Sequence, residues 1–471
     1  MKTIFHQVSG YNSPRQPVLP QCAGLFPKNI KHFPDNDSLL AKNLKRLINS
    51  IREQKSLLLS GRKCNKFFII LISFLFYAFS QPAYAELLHG ADNTVIAQGI
   101  KISVKKQATY LTIIFSKKVQ ATYYALEHPN RLIIDLPGVE FHVTDNNLKR
   151  NGGLVASFRY GLIAENQSRI VIDLKSPVSV QKLHGQVEEA EGSYYIAFEL
   201  KAASTSQFRE LVNKTEPYSP NQPDISSEIP SQTTMPADER KPVIVIDPGH
   251  GGIDPGAVTQ TGIQEKDIVF AFAATVVKYL EAQNRFHVIM TRQSDIFVPL
   301  NERVRIAQKA RADLFISIHA DSISAAPQVS GFTVYTVSDK ASDRESALLA
   351  AKENQADSIA GIETSDLKDQ VVDILQELTI RETRLMSKRF ARLLIEHFGN
   401  VMRLNKNPSR QAGFHVLKAY DIPSILIELG YLSSGQDISL LTSEEWRNNA
   451  AQAITESINS FFPPASSQNK P

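Results

Sequence analysis

Two histidines and two carboxylates are spaced so that they could meet at one site. His250 lies in Asp247-Pro248-Gly249-His250-Gly251-Gly252, directly after the apolar run Val243–Ile246. His319 follows Leu314–Ile318, Glu428 follows Ser424–Ile427, and Glu265 opens the helical stretch after the first run. Two imidazoles plus a carboxylate form a common zinc set that leaves a fourth position for water. The metal brings the pKa of that water toward neutrality and polarises a carbonyl. A second carboxylate, not bound to the metal, can take the proton of the water and pass it to a leaving amine. His250, Glu265 and His319 suit the ligand role, and Glu428 suits the base. Each has a plainer reading alone: a strand-end histidine is commonly solvated, and Glu265 suits the positive end of a helix. Glu428 is harder to set aside, because a carboxylate ending a buried strand needs a partner or a task. His287, His397 and His415 lack such a context. His397 reads as helix surface, and His415, after Gly413-Phe414, as a neighbour of the cleft.

These positions converge only if the apolar runs are strands ending on one rim. From Lys241 the sequence alternates strand and helix signals: strands at Val243–Ile246, Phe286–Met290, Leu314–Ile318, Phe332–Val337 and Ser424–Leu429, helices at Gln264–Glu281, Leu300–Ala310, most of 343–398 and Glu444–Phe461. Such alternation implies βαβ units, hence an α/β domain with a mostly parallel sheet and helices on both faces. Ligands in such sheets gather beyond the carboxyl ends of the strands.

Residues 86–205 are different. Short runs rich in Ile, Val and Tyr (Tyr110–Phe115, Arg131–Leu136, Arg169–Leu174, Tyr194–Leu200) predict a small all-β sandwich. RLIIDL at 131–136 and RIVIDL at 169–174 echo each other and hint at an internal duplication. Residues 206–240, dense in Pro, Ser, Thr and Gln, read as a linker that cannot bury enough surface to offset its ordering entropy.

The 471 residues carry a net charge of +4, but residues 1–85 hold 12 Lys/Arg against 3 Asp/Glu, leaving 40 against 45 beyond them. The basicity belongs to the leader, so a nucleic-acid partner is not expected. The uncharged run at 67–79 follows Arg62, Lys63 and Lys66 and precedes Ala83-Tyr84-Ala85. That is the pattern of a secretory signal peptide cleaved after Ala85. Cys22 and Cys64 both fall before that point, so the exported chain would have no cysteine.

The series IDPGHGGIDPGAV, Glu265-Lys266-Asp267, MTRQSD, LNERVRIA, LFISIHAD and QAGFHVLKAYDIPSILIELGYLSS resembles the zinc-dependent N-acetylmuramoyl-L-alanine amidases over about 241–465. The resemblance implies cleavage of the amide between N-acetylmuramic acid and L-alanine in peptidoglycan. It places the zinc ligands on His250, Glu265 and His319 and the catalytic glutamate on Glu428. SIHAD stands where the family often has SIHAN, so Asp321 brings a charge to that place. Residues 95–200 resemble the AMIN domain, mainly through RLIIDLPG. With a signal peptide, the combination resembles periplasmic cell-division amidases of Gram-negative bacteria.

Residues 339–382 hold 11 Asp/Glu and 5 Lys/Arg, with Val371, Ile374, Leu375 and Leu378 at helical spacing and Ser342-x-x-Glu345 as a capping box. By itself this is an ordinary surface helix pair. The resemblance implies a regulatory insert at about 340–380 whose helix covers the zinc until a LytM-domain-type activator displaces it. Glu345 and Glu353 are the candidate blocking residues. Two other functions stay open: a zinc peptidase or carboxypeptidase on cell-wall peptides, and a non-catalytic peptidoglycan-binding protein. No sequence signal marks a subunit interface, so a monomer is expected.

Overall fold

The computed structural model describes residues 94–143, 151–187, 193–214, 240–323, 329–362 and 374–464. The signal peptide, both cysteines, Val371 and most of the linker lie outside the described residues. Among the described residues, no helix is long and apolar enough to cross a membrane.

The amino-terminal region is a β-sandwich. One sheet has the order β5-β1-β2-β9-β8, built from β1 (Val95–Lys105), β2 (Ala108–Phe115), β5 (Val139–Phe141), β8 (Val178–Gln186) and β9 (Tyr194–Ala202). The other has the order β3-β4-β7-β6, built from β3 (Thr122–Leu126), β4 (Arg131–Pro137), β6 (Val155–Ala164) and β7 (Gln167–Leu174). The two echoed hexapeptides are β4 and β7, and they pair antiparallel at the centre of their sheet. Arg131 stands opposite Asp173, and Asp135 opposite Arg169. The period of two sends Leu132, Ile134, Ile170 and Ile172 into the sandwich core, while Ile133 and Val171 face the other way into a second buried cluster. That second cluster includes Val243, Val245 and Phe315 of the next sheet, so the β4–β7 sheet is covered on both faces.

Helix α1 (Thr205–Lys214) occupies the start of the stretch read as linker. Its Phe208 is fully buried against the sandwich, which supplies the apolar anchor that the polar composition concealed.

The sheet of the carboxy-terminal region has the order β11-β10-β12-β15-β13-β14. Its strands are β10 (Val243–Pro248), β11 (His287–Met290), β12 (Leu314–His319), β13 (Phe332–Val337), β14 (Leu404–Ala412) and β15 (Ser424–Glu428). Pairings are parallel except β13 with β15. Helices α2 (Glu265–Ala282), α6 (Ile374–Phe398) and α8 (Glu444–Phe461) pack one face through Phe272, Phe390 and Ile454. Helices α3 (Leu300–Lys309), α4 (Arg344–Glu353) and α5 (Ala356–Ile359) lie over the other. The short helix α7 (Gly435–Leu441) precedes α8.

Strand β14 is unexpected. Its sequence LNKNPSRQA is polar and holds Pro408, which suits an edge strand paired only with β13. The cap of α4 is Asp343, whose carboxylate accepts from the Ser346 N–H, and not Ser342. Leu378 of the expected apolar stripe is 57% exposed.

Candidate active site

Parallel pairing of β12 with β15 puts His319 level with Glu428, and Pro248 of β10 lies level with Ile318. The three strand ends therefore share one rim. His250 comes two residues beyond β10 on a left-handed backbone (φ 57°). Such a φ is uncommon for a residue with a side chain and is held only where surroundings over-determine it. Here Arg303 does so, donating to the Pro248 and His250 carbonyls and to Asp247. Arg292 adds bonds to the Pro248 and Gly249 carbonyls. Asp247 in turn accepts from Thr291 and Ser317. Gly249 is required by proximity, because a Cβ there would come within 2.5 Å of the His319 ring.

The side chains meet in a buried cluster. Glu265 Oε1 lies 3.1 Å from His250 Nε2 and 3.3 Å from His319 Nδ1. Glu353 Oε2, from the end of α4, lies 3.5 Å and 3.4 Å from the same two nitrogens. His250 Nδ1 donates to Asp254 at 2.8 Å, which turns the Nε2 lone pair toward the cluster. Neither His250 Nε2 nor His319 Nδ1 has a hydrogen-bond partner, although both are buried. Burial alone would raise the Glu265 pKa, yet the two imidazoles hold it well below the carboxylate range.

These residues fit a metal ion. Tetrahedral bonds of about 2.1 Å place neighbouring donors about 3.4 Å apart. The four donor separations here span that value, and unpartnered buried imidazole nitrogens are what a cation requires. His250, His319 and Glu353 offer ligand atoms within 4.8 Å of one another. Glu265 joins them by the distances above, and its other oxygen, Oε2, accepts the Ala257 N–H at 2.9 Å.

Glu428 stands beside the cluster. Its Oε2 accepts the Asp321 N–H at 2.9 Å, and its buried Oε1 has no partner. Burial, then the charges of Asp321 and Glu265, push its pKa well above the usual carboxylate value. Asp321 itself pairs with Lys352 of α4. Glu345 is elsewhere: half-exposed, it pairs with Arg410 at 3.0 Å. Of the two candidate blocking residues, Glu353 alone reaches the imidazoles. The cavity left beside the cluster is only about 10 Å³ and is lined by Glu353, Asn354 and Ala356 of the insert together with His250 and His319.

Residues 244–460 match the family described as N-acetylmuramoyl-L-alanine amidase, and residues 99–194 match the AMIN domain. The N-acetylmuramoyl-L-alanine amidase AmiC of Neisseria meningitidis serogroup B is 32% identical over 368 residues, covering 75% of this chain and 87% of that one. The chain belongs to the N-acetylmuramoyl-L-alanine amidase family. AmiC of Escherichia coli O6:H1 is 31% identical, covering 78% of this chain and 90% of that protein. A solved structure of AmiC2 from Nostoc punctiforme is 29% identical, with a TM-score of 0.33 and coverage of 48% of this chain and 99% of that one. The amidase thus combines an AMIN domain with a catalytic domain that cleaves peptidoglycan, as division-type amidases do.

Sequence reasoning missed two residues of the amidase site. Asp254, which orients His250, sits in the second DPG of IDPGHGGIDPG, a repeat that could have signalled it. Lys352, the partner of Asp321, carried no local signal. His415 does lie beside the insert: its N–H donates to Asn354.

Proposed function

We propose that the amidase holds one zinc ion on His250, Glu265 and His319, and that the fold as described here is the shut form of the enzyme. The observation that carries this is the convergence of the buried, unpartnered His250 Nε2 and His319 Nδ1 on two carboxylates, one from the catalytic domain and one from the insert. When bound, the zinc would polarise the lactyl carbonyl and acidify the attacking water. Glu428 takes the proton of that water through Oε1 and returns it to the departing L-alanine nitrogen. Its buried, unpartnered Oε1 suits both halves of that transfer. Asp254 holds the His250 ring, and the Asp321 N–H holds Glu428. Glu353 occupies the place that water and substrate need, so α4 must leave before hydrolysis.

The export pattern of the leader supports a periplasmic location, and the plug supports control by a separate LytM-domain-type activator acting on a monomer. The test is mass spectrometry of soluble products from purified peptidoglycan treated with the Glu353→Ala chain, with and without chelator. Chelator-sensitive release of stem peptides with a free L-alanine amino terminus is expected. Release of single amino acids instead would establish a carboxypeptidase.

A further inference from the structure

Beyond Glu353 the chain continues through α5 and turns at Gly361, and there it meets the β4–β7 sheet of the AMIN domain. Arg131 donates to the Ser358 carbonyl, Arg159 to the Ile359 carbonyl at 2.7 Å, and Arg169 to the Ala360 carbonyl at 3.0 Å. Three successive carbonyls at the end of one helix thus each accept from a different arginine, all on one sheet. The carbonyls of the last helical turn point beyond the helix and take such outside donors.

Two of the arginines are held by carboxylates of their own sheet. Arg169 is fully buried and forms a two-pronged pair with Asp135 at 2.6 and 3.0 Å. Arg159 is held by Asp173 at 2.7 Å. A planar guanidinium fixed on one edge presents its remaining N–H groups in a known direction. Apolar contact accompanies the bonds. Gly361, at φ +71°, lies so close that a Cβ would come within 2.6 Å of Ile133 and 3.3 Å of Val171.

Arg131 and Arg169 are the first residues of the two echoed hexapeptides, and Ile133 and Val171 are the third. Antiparallel pairing of the repeats brings both arginines and both β-branched residues to one face. The two echoed hexapeptides therefore build a grip, and residues 358–361 fill it.

We propose that the AMIN domain is a clamp on the blocking segment, and that its hold on residues 358–361 keeps Glu353 on the imidazoles. This rests on the blocking role of Glu353 proposed above. The catalytic domain pins the segment too: Asp357 accepts the Leu300 N–H at 2.9 Å, Asn354 donates to the Gly413 carbonyl at 2.9 Å and accepts the His415 N–H, and Lys352 pairs with Asp321. Helices α4 and α5 are joined by two residues, so lifting Glu353 away drags the carbonyls off the arginines.

The test uses the full chain. Arg131→Ala with Arg159→Ala should raise activator-free release of stem peptides at least about tenfold, since each lost charge-assisted bond shifts the closed–open balance by about that factor. Hydrogen exchange over 344–361 should quicken while that of β10 and β12 stays unchanged. Glu353→Ala in the same chain gives the ceiling. Unchanged exchange over 344–361 in a folded double variant overturns the clamp. Exchange that quickens with no gain in activity, while Glu353→Ala is active, also overturns it. If Glu353→Ala is itself no more active than the parent, the blocking role fails, and the exchange readout alone decides the clamp. Should the double variant misfold, Arg159→Ala alone removes a partly exposed arginine and is judged by the same two readouts.

Discussion

The molecule buries charge in two places and treats it in opposite ways. In the AMIN domain, Arg169 and Asp135 are buried and pair with each other, and a further N–H of the arginine is used on the Ala360 carbonyl. At the rim of the catalytic sheet, His250 Nε2, His319 Nδ1 and Glu428 Oε1 are just as buried and have no partner. A closed set of buried charges holds structure together, whereas an open one is a standing cost that the fold tolerates because something else completes it. The contrast separates a structural ion pair from a reactive site without reference to any relative.

The largest expected effect tests the open set. His250→Ala or His319→Ala should remove both bound metal and turnover, read as metal content by mass spectrometry alongside product release. Retention of a full equivalent of metal in either variant would show that the imidazoles are not ligands. Next comes Glu428→Gln, which keeps the acceptor for the Asp321 N–H but cannot take a proton. Turnover in the Glu353→Ala background should fall by about 10²–10⁴-fold with metal content unchanged. Near-normal turnover would place the base elsewhere.

The closed set should respond in the opposite sense. Asp135→Asn leaves the buried Arg169 without its counter-charge, and such a loss costs about 3–5 kcal/mol of stability. Calorimetry should show the AMIN transition lowered. Product release in the Glu353→Ala background should be unaffected, because the pair touches no part of the chemistry. A loss of turnover there would mean that the two regions are not separable as the contrast holds.

How far the sequence shows these two sets differs for a physical reason. The catalytic strands are continuous apolar runs, so β10, β12 and β15 were legible, and with them the rim on which His250, His319 and Glu428 lie. The echoed hexapeptides were visible too, but what they grip was not. Their partner is the backbone of residues 358–361, and backbone carbonyls leave no mark in a sequence. Strand β14 escaped because an edge strand tolerates Pro408 and polar residues. Helix α1 escaped because one buried residue, Phe208, anchors an otherwise polar segment. Glu353 could not be chosen over Glu345 from spacing alone, since the choice depends on which end of α4 points at the rim.

The smallest expected effect lies where the two regions meet. Asp357 is a buried residue of α5, and burial raises its pKa above the ordinary carboxylate value, although the Leu300 N–H and then Arg303 pull it down and Asp254 pushes it up. A carboxyl whose pKa is raised in the docked state favours docking most when protonated. Its own contribution to docking is therefore greatest in acid and is lost as pH rises through the docked pKa. Ionisation of Asp357 therefore weakens the hold of the insert. Asp357→Asn keeps the acceptor for the Leu300 N–H and removes the charge. It should slow hydrogen exchange over 344–361 at neutral pH by a few-fold and flatten the dependence of that exchange on pH after correction for intrinsic rates. Faster exchange in this variant would mean that the carboxylate charge, through Arg303, helps to hold the segment down, and the burial cost would then be the lesser of the two effects.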